Sequence, residues 1–414
     1  MRAIGSFDRT LAITTLLLVG FGLLILYSAG QTDVPTRAAG VWFRQLVWSG
    51  LGLAVALLVY QISPRILEWA APALYGLGIL LLVVVLAVGT GAGTAESSHS
   101  WLSIGGRQVG QPSEFAKIAT VLMLARHLSG LREPPRSLRD LMVPGLIVGV
   151  PFLLVLRQPD LGSALVFVGI LFAMLFWAGT RPLLLFLIAS PGFSLLLGFS
   201  TLGWTLWMIA LFAVLAFYRP FILDSVVVYL ANVVMGAIAI PIWSRLHPYQ
   251  QNRLLTFLNP EVDPQRAGYH AIQSKVAIGS GGWFGTGYTQ GPQKRLAFLP
   301  EQHTDFVFSV VGEELGFVGV TTVLILYAVL FLSLVRIARR ASDPFSSLTV
   351  FGILGLLFTH VFENVGMTVN VMPITGIPLP FFSYGGSFFL ICSACIGIAF
   401  RVAAESDRSA YHEF

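Results

Sequence analysis

The sequence predicts an all-α membrane protein that crosses the bilayer about twelve times as a single domain, 1–414. Of its 414 residues, 56% are hydrophobic and only 11% are charged, and the mean hydropathy is +0.79. Soluble domains carry roughly 25% charged residues, whereas about 20 apolar residues are enough to cross a bilayer as a helix. Apolar stretches of that kind recur along the chain, so its composition favours a polytopic membrane protein.

The apolar stretches can be divided into twelve candidate spans. They lie near 10–30, 43–62, 69–90, 112–128, 141–157, 162–179, 182–199, 204–218, 221–243, 314–336, 346–368 and 378–401. The first is as long as a full span, so we interpret it as a retained helix and not as a cleaved signal. The region 182–243 is the hardest to divide because its connections, around Gly203 and Arg219-Pro220, are very short.

Basic residues in the short loops predict the orientation. Most of them fall on one side of the membrane, and the positive-inside rule then places both termini in the cytoplasm. Two substantial segments lie outside, 90–111 and 244–313, and the second mixes aromatic residues with glycines in a pattern unlike disorder. Function is therefore expected on the outer face. The net charge of +5 fits topology signals and contact with membrane lipids, and no clustered basic face indicates nucleic-acid binding.

Two polar pairs lie near predicted span ends. Glu114 and Lys117 are three residues apart where the fourth helix begins, so they share a helix face and can pair. Such a pair either anchors a helix end or forms the polar wall of a cavity, and both interpretations stay open. Arg157 and Asp160 occupy a tight turn, where Asp160 is placed to cap the next helix.

The outer segment 244–313 contains the glycine-rich stretch IGSGGWFGTGYTQG. Glycines near basic residues can cradle a phosphate or can simply permit tight turns; no G-K-[ST] follows, so the stretch is not a P-loop. Five basic residues of this segment could hold a pyrophosphate or form a solvated rim: Arg253, Arg266, Lys275, Lys294 and Arg295.

The stretch LPEQHTDFVFSVVGEELG concentrates titratable residues in an apolar chain. Asp305 directly precedes an apolar run, where partial desolvation favours proton abstraction, but a helix cap is an equally good interpretation. His303 could bind Asp305 or a substrate, and no full set of metal ligands accompanies it. Glu313 and Glu314 are predicted to start the next span in a structural role.

Irregular backbone is predicted near the last span. The stretch MPITGIPLPFFSYGGS carries prolines and glycines at membrane depth, which is tolerated only where protein or a wet cavity covers the backbone. Glu363 and Asn364 lie inside the preceding apolar span and are predicted to face protein.

Five motifs together resemble the SEDS family (shape, elongation, division and sporulation proteins). They are WLSIGGRQVGQPSEFAK, RQPDLGSAL, FLNPEVDPQRAGYHAIQSKVAIGSGG, FLPEQHTDFVFSVVGEELG and GIPLPFFSYGGS, and they follow the family's order between residues 101 and 387. The versions GYHAIQSKVAIGSGG and NVGMTVNVMPITGIPLPFFSYGGS are more similar to RodA than to FtsW.

The resemblance implies a peptidoglycan glycosyltransferase that polymerises lipid II beside a class B penicillin-binding protein, for cell-wall elongation and rod shape. It implies that Asp305 is the essential carboxylate, that Glu114 and Lys117 are the family's polar pair, and that Mg²⁺ or Mn²⁺ assists. The chain departs from the family in having three predicted helices in 180–243 where ten-span relatives have one, and in carrying Phe388 where a second serine is common.

The mechanism expected from this resemblance is an inverting transfer. Asp305 would act as general base on the acceptor hydroxyl, while Arg253 and Lys275 would offset the pyrophosphate charge. His303 and Ser383 are further candidates for substrate contact, with Glu114 and Lys117 in the cavity wall. The alternatives are a flippase or transporter of lipid-linked precursors, an FtsW-like division polymerase, and a non-catalytic scaffold.

Overall fold

The computed structural model describes residues 8–34, 36, 38–90, 100–104, 107–218, 221–246, 251–252, 255–257, 267–299 and 301–412. The described helices are α1 (Arg9–Ala29), α2 (Val41–Tyr60), α3 (Pro64–Val88), α4 (Pro112–Ser129), α5 (Met142–Leu156), α6 (Leu161–Trp177), α7 (Pro182–Leu197), α8 (Thr201–Tyr218), α9 (Ile222–Ala237), α10 (Ala239–Arg245), α11 (Ala267–Ser280), α12 (Pro292–Arg295), α13 (Val307–Arg340), α14 (Pro344–Thr368) and α15 (Gly386–His412). A short antiparallel hairpin, β1 (Leu102–Ile104) and β2 (Arg107–Gly110), precedes α4.

Each of the twelve predicted spans coincides with a helix. In the described ranges, eight helices are long and apolar enough to cross a membrane, and the bent pair α9–α10 would make a ninth. The other three are α6 and α7, which are apolar but shorter, and α4, whose charged residues lower its hydropathy. Most of α4 is buried, so it needs no lipid-facing surface. The predicted class, an all-α multi-pass membrane protein, is confirmed.

Capping side chains and prolines begin several of these helices. Asp8 accepts a hydrogen bond from the backbone N–H of Leu11 at the start of α1, and Asp343 accepts one from Ser346 at the start of α14. Asp160 accepts one from Ser163 (3.0 Å) at the start of α6, which confirms its predicted role as a cap. Pro112 is the first residue of α4, a position where its missing N–H costs nothing.

The interior of the molecule is built around α4, α14 and α15. About 72% of the apolar window of α14 is buried, against 17% for α2. Helix α14 packs on α6, α13 and α4, α15 packs on α2, and α1 packs on α13. Glu363 and Asn364 of α14 are buried, as the sequence predicts. The site residues described below lie around this central group.

Helices α7, α8 and α9 form a side bundle with its own small core. Leu187, Leu211, Leu215 and Val228 make up that core, and Asn232 fastens it. The Asn232 amide donates to Ser190 Oγ (2.7 Å) and accepts from Trp207 Nε1 (3.0 Å). Satisfied polar contacts of this kind hold helices together in lipid. The three helices predicted in 180–243 are therefore present and pack mainly on one another.

The start of α13 differs from the predicted span. The sequence places this span at 314–336, but the helix begins at Val307 and is broken at Gly316, where φ is +62°. Glu313 and Glu314 consequently lie at the end of the first half of α13 and not at a helix start. Both side chains are fully buried and bonded to protein. Acidic residues with partners inside the protein need no contact with water, so these two do not mark the membrane boundary.

The glycine-rich stretch fills the break in α13. A broken helix leaves backbone groups without partners, and residues 282–287 supply them. The four hydrogen bonds run from Thr286 N to Glu313 O (2.9 Å), from Gly287 N to Glu314 O (3.1 Å), from Phe317 N to Gly282 O (2.9 Å) and from Val318 N to Trp283 O (3.1 Å). Side chains at Gly281 and Gly285 would collide with the carbonyl groups of Gly312 and Glu314. Of the two interpretations of this stretch, the structure supports the one in which the glycines permit tight turns and close packing.

Candidate active site

Asp305 lies in the turn just before α13, and its backbone is held at three successive carbonyl groups. Phe306 occupies the N-cap position of α13, so the cap interpretation of Asp305 is not the one that the structure adopts. The three hydrogen bonds run from Tyr384 N to His303 O (2.9 Å), from Ser383 Oγ to Thr304 O (2.5 Å) and from Asn364 Nδ2 to Asp305 O (2.9 Å). These contacts fix the backbone at three successive residues and so fix the Cα position from which the Asp305 carboxylate projects.

Ser383 and Asn364 join this turn to the irregular segment before α15. Ser383 Oγ accepts a hydrogen bond from Leu379 N (2.8 Å), and Asn364 Nδ2 also donates to Ile377 O (2.7 Å). Ser383 is only 2% exposed. The structure therefore places Ser383 against the turn with its hydroxyl group bonded to protein on both sides, and its contact with substrate stays a prediction.

The Asp305 carboxylate faces Gly376. A Cβ atom at this glycine would lie 3.3 Å from Asp305 Oδ2, and the φ of Gly376 is +73°. Both the close approach and the left-handed backbone favour glycine at this position. Asp305 itself is partly buried, which matches the partial desolvation expected of a carboxylate at a membrane edge.

His303 begins a row of side chains that leads away from the turn. Its ring centroid lies 6.0 Å from that of Tyr384, and its Nε2 atom lies 3.9 Å from Glu301 Oε2. On the other side, Arg44 Cζ lies 5.7 Å from the centroid of the Tyr384 ring, within cation–π distance. Arg44, near the start of α2, is exposed, and its place beside Tyr384 has no signal in the local sequence.

Glu114 and Lys117 pair as predicted, deep inside the protein. Lys117 Nζ lies 2.7 Å from Glu114 Oε1 and 3.1 Å from His360 Nε2. His360 Nδ1 lies 3.4 Å from the carbonyl oxygen of Pro378. The pair thus connects α4 to α14 and to the irregular segment that holds the Asp305 turn. His360 was not singled out from sequence, because a single histidine in an apolar span has no local pattern.

Several acceptors near this pair lack a protein donor. Within the described residues, Glu114 Oε2, both carboxyl oxygens of Glu363 and Asn364 Oδ1 are buried without a hydrogen-bond partner. Unpaired buried polar atoms are costly and uncommon in folded proteins. These four acceptor atoms between α4 and α14 indicate a polar region of the interior that suits water or a hydrogen-bond donor.

Two of the five basic residues predicted for a pyrophosphate pair with protein carboxylates. Lys294 is fully buried, 2.8 Å from Glu314 Oε1 and 3.0 Å from Ser28 O, so it is not available to a substrate. Arg295 pairs with Asp33 at 3.1 Å on the surface. Lys275 is exposed on α11. Arg253 and Arg266 lie outside the described residues.

Across the described ranges, no group of three or more His, Cys, Asp or Glu side chains is placed to hold a metal ion. Mg²⁺ is often held by only one or two carboxylates together with substrate phosphates, so assistance by Mg²⁺ or Mn²⁺ stays a prediction.

Comparison with known proteins identifies the family. A family model described as "Cell cycle protein", covering FtsW, RodA and SpoVE, matches residues 8–202 and 192–408. The peptidoglycan glycosyltransferase MrdB of Escherichia coli (strain K12) is 37% identical over 397 residues, which cover 95% of this chain and 93% of that protein. The peptidoglycan glycosyltransferase RodA of Treponema pallidum is 36% identical over 440 residues, covering 98% and 99%.

A solved structure agrees in fold. It is a chain reported under "Structural coordination of polymerization and crosslinking by a peptidoglycan synthase complex", with a TM-score of 0.70 and 32% identity. The match covers 96% of this chain and 98% of the solved chain. Together with the motif order and the geometry around Asp305, these similarities show that the chain belongs to the SEDS family of FtsW, RodA and SpoVE proteins.

Proposed function

We propose that this enzyme polymerises lipid II into peptidoglycan glycan strands and that Asp305 is the general base. One observation carries the assignment: a partly buried carboxylate lies on a turn whose last three carbonyl groups are each hydrogen-bonded. Backbone held this firmly is what a base needs, because proton abstraction depends on fixed geometry.

The proposed chemistry is a single inverting displacement. Asp305 accepts the proton of the acceptor sugar's 4-hydroxyl as that oxygen attacks the anomeric carbon of the donor. The bond from the anomeric carbon to the pyrophosphate oxygen breaks, and undecaprenyl pyrophosphate leaves with the electron pair. Attack on the face opposite the leaving group converts an α-linked donor into a β-1,4 linkage.

The leaving pyrophosphate requires positive charge nearby. Lys275 is a candidate because it is exposed on α11, the helix that Ser274 joins to Ser309, in the first turn of α13 after Asp305, and to the carbonyl group of Thr368. Arg44 is a second candidate through its place beside Tyr384. Arg253 stays a prediction, as does assistance by Mg²⁺ or Mn²⁺, and the mechanism uses no step through a metal.

The cellular setting forms part of the proposal. We place the enzyme in the bacterial inner membrane with both termini in the cytoplasm and Asp305 on the outer face. Its partner would be a class B penicillin-binding protein that crosslinks the new strand. We assign it to cell elongation, on its RodA-like motif versions, and not to division.

A reconstituted polymerisation assay tests this function. The purified chain, with a partner whose transpeptidase serine is replaced, is given lipid II in detergent, and glycan products are separated by gel. The proposal expects long strands. In a parallel assay with lipid II in sealed vesicles, movement of lipid II across the membrane without any polymer would instead support the flippase. Undiminished polymer when Asp305 is replaced would support the scaffold.

A further inference from the structure

The molecule has a basic cavity at the end of α13 far from Asp305. The beginning of α1, the last turns of α13 and the last part of α15 meet there around a cavity of about 230 Å³. Arg9, Arg336 and Arg340 line it, against one acid, Asp8. We propose that this cavity binds the phosphate group of an anionic glycerophospholipid from the adjacent membrane leaflet.

The charges around the cavity are incompletely compensated. Asp8 Oδ1 already accepts a hydrogen bond from Leu11 N as the cap of α1, and its Oδ2 atom lies a long 3.9 Å from Arg336. Arg336 and Arg340 are four residues apart on one helix face, where like charges repel. In the part of the chain that the structure describes, no ion pair joins Arg9 or Arg340 to a carboxylate. An anion between these guanidinium groups would relieve the repulsion.

Arginine is well suited to this ligand. Its planar guanidinium group donates two parallel hydrogen bonds to phosphate oxygens. Thr10 and Ser406 add hydroxyl groups to the lining, while buried Ile337 and Ala403 form an apolar floor. Basic pockets between membrane helices are typical sites for anionic lipid headgroups.

Lipid-facing side chains continue from the cavity into the membrane. Ile13 and Leu17 share a face of α1 with Thr10 and are 57% and 52% exposed. Leu332, one turn before Arg336 on α13, is 63% exposed. These apolar surfaces would carry the acyl chains of a lipid whose headgroup occupies the cavity. They favour a lipid over free phosphate, which would make no use of them.

Native mass spectrometry of the purified full chain tests this site. The chain is titrated with phosphatidylglycerol, with phosphatidylcholine and with inorganic phosphate, and bound fractions are measured. We expect R336Q/R340Q to bind phosphatidylglycerol about tenfold or more weakly than wild type. R339Q is the matched control, because Arg339 lies at the same helix end but lines a different cavity. It should bind like wild type.

Three outcomes would overturn the proposal. In the first, R336Q/R340Q binds phosphatidylglycerol as tightly as wild type does. In the second, wild type binds phosphatidylcholine as tightly as phosphatidylglycerol. In the third, inorganic phosphate displaces phosphatidylglycerol when the two are present at equal concentration.

The variant R336K/R340K guards against misfolding, since it keeps both charges. R336K/R340K should bind phosphatidylglycerol with an affinity between those of wild type and R336Q/R340Q, because lysine lacks the bidentate contact. Wild-type affinity in R336K/R340K would count against the arginine contacts.

Discussion

Glu114 and Lys117 illustrate how strongly one buried charge depends on its partner. The variant E114Q would leave the Lys117 ammonium group buried without its carboxylate, and breaking a buried pair typically costs roughly 3–5 kcal/mol. We expect a clearly lower unfolding temperature in detergent. D33N is the control, since the exposed Arg295–Asp33 pair should contribute less than about 1 kcal/mol. Equal unfolding temperatures for E114Q and D33N would contradict this account of the pair.

Ser383 provides a test of positioning. Removing its hydroxyl in S383A frees the carbonyl group of Thr304, so the Asp305 carboxylate should lose its fixed direction. Misplacement of about 1 Å can cost about 100-fold in rate, so we expect kcat to fall by roughly 10–100-fold with little change in KM. S347A, which removes a hydroxyl bonded to Ala338 O, is the control. A change confined to KM would indicate that Ser383 contacts substrate after all.

Single residues were predictable from sequence only where a local pattern identified them. The Asp160 cap and the Glu114–Lys117 pair follow from spacing along one helix. The proposal that Asp305 is the base rests on the family motif, since spacing alone could not separate a base from a cap. Lys294 looked available in sequence because its partners, Ser28 and Glu314, are distant in the chain, and Arg44 was missed for the same reason.

Helix α13 depends on the glycine-rich stretch that fills its break. In G281A, the new methyl group would collide with the carbonyl group of Gly312, and overpacking of this kind typically costs about 1–3 kcal/mol. We expect G281A to unfold at a lower temperature than wild type. G279A, in the last turn of α11 two residues before Gly281, is the control, because a Cβ there meets nothing within 4 Å. If both variants unfold alike, the packing at the break is looser than the structure indicates.

Helices are easier to predict than the breaks within them. Apolar runs located every span, because lipid requires them along the whole length of an exposed helix. The break at Gly316 is different, because its backbone partners come from residues 282–287, and no local pattern connects the two. The start of α13 was misplaced for a related reason: Glu313 and Glu314 look like surface residues until their buried partners are known.

The orientation of the whole molecule can be tested by thiol labelling. Both native cysteines, Cys392 and Cys395, are fully buried, so the background should be low. We expect a membrane-impermeant maleimide to label Q31C in intact cells, because exposed Gln31 follows the end of α1 that we propose lies outside. S342C, between α13 and α14, should react only after permeabilisation. The reverse pattern would place Asp305 in the cytoplasm and rule out the proposed reaction there.

At the scale of the whole chain, the sequence predicted the class and the family, since these depend on composition and on long motifs, whereas eight described helices, or nine with the bent pair, are long and apolar enough to span, against the twelve predicted. It did not predict how α7, α8 and α9 pack, because the Asn232 contacts that fasten them join three separate helices. The contacts that connect the polar pair on α4 to the Asp305 turn could likewise not be predicted from sequence. It passes through His360, Asn364 and the irregular segment before α15, which only the folded chain brings together.

The rate of lipid II polymerisation by D305N tests the central claim most directly. The variant is assayed with its partner under single-turnover conditions, after equal unfolding temperatures have been verified. D33N, which removes an exposed carboxylate, is the control. Loss of a general base typically lowers the rate by about 100- to 10,000-fold, and we expect a loss in that range for D305N and almost none for D33N. Near wild-type polymerisation by a well-folded D305N would contradict the assignment of Asp305 as the base.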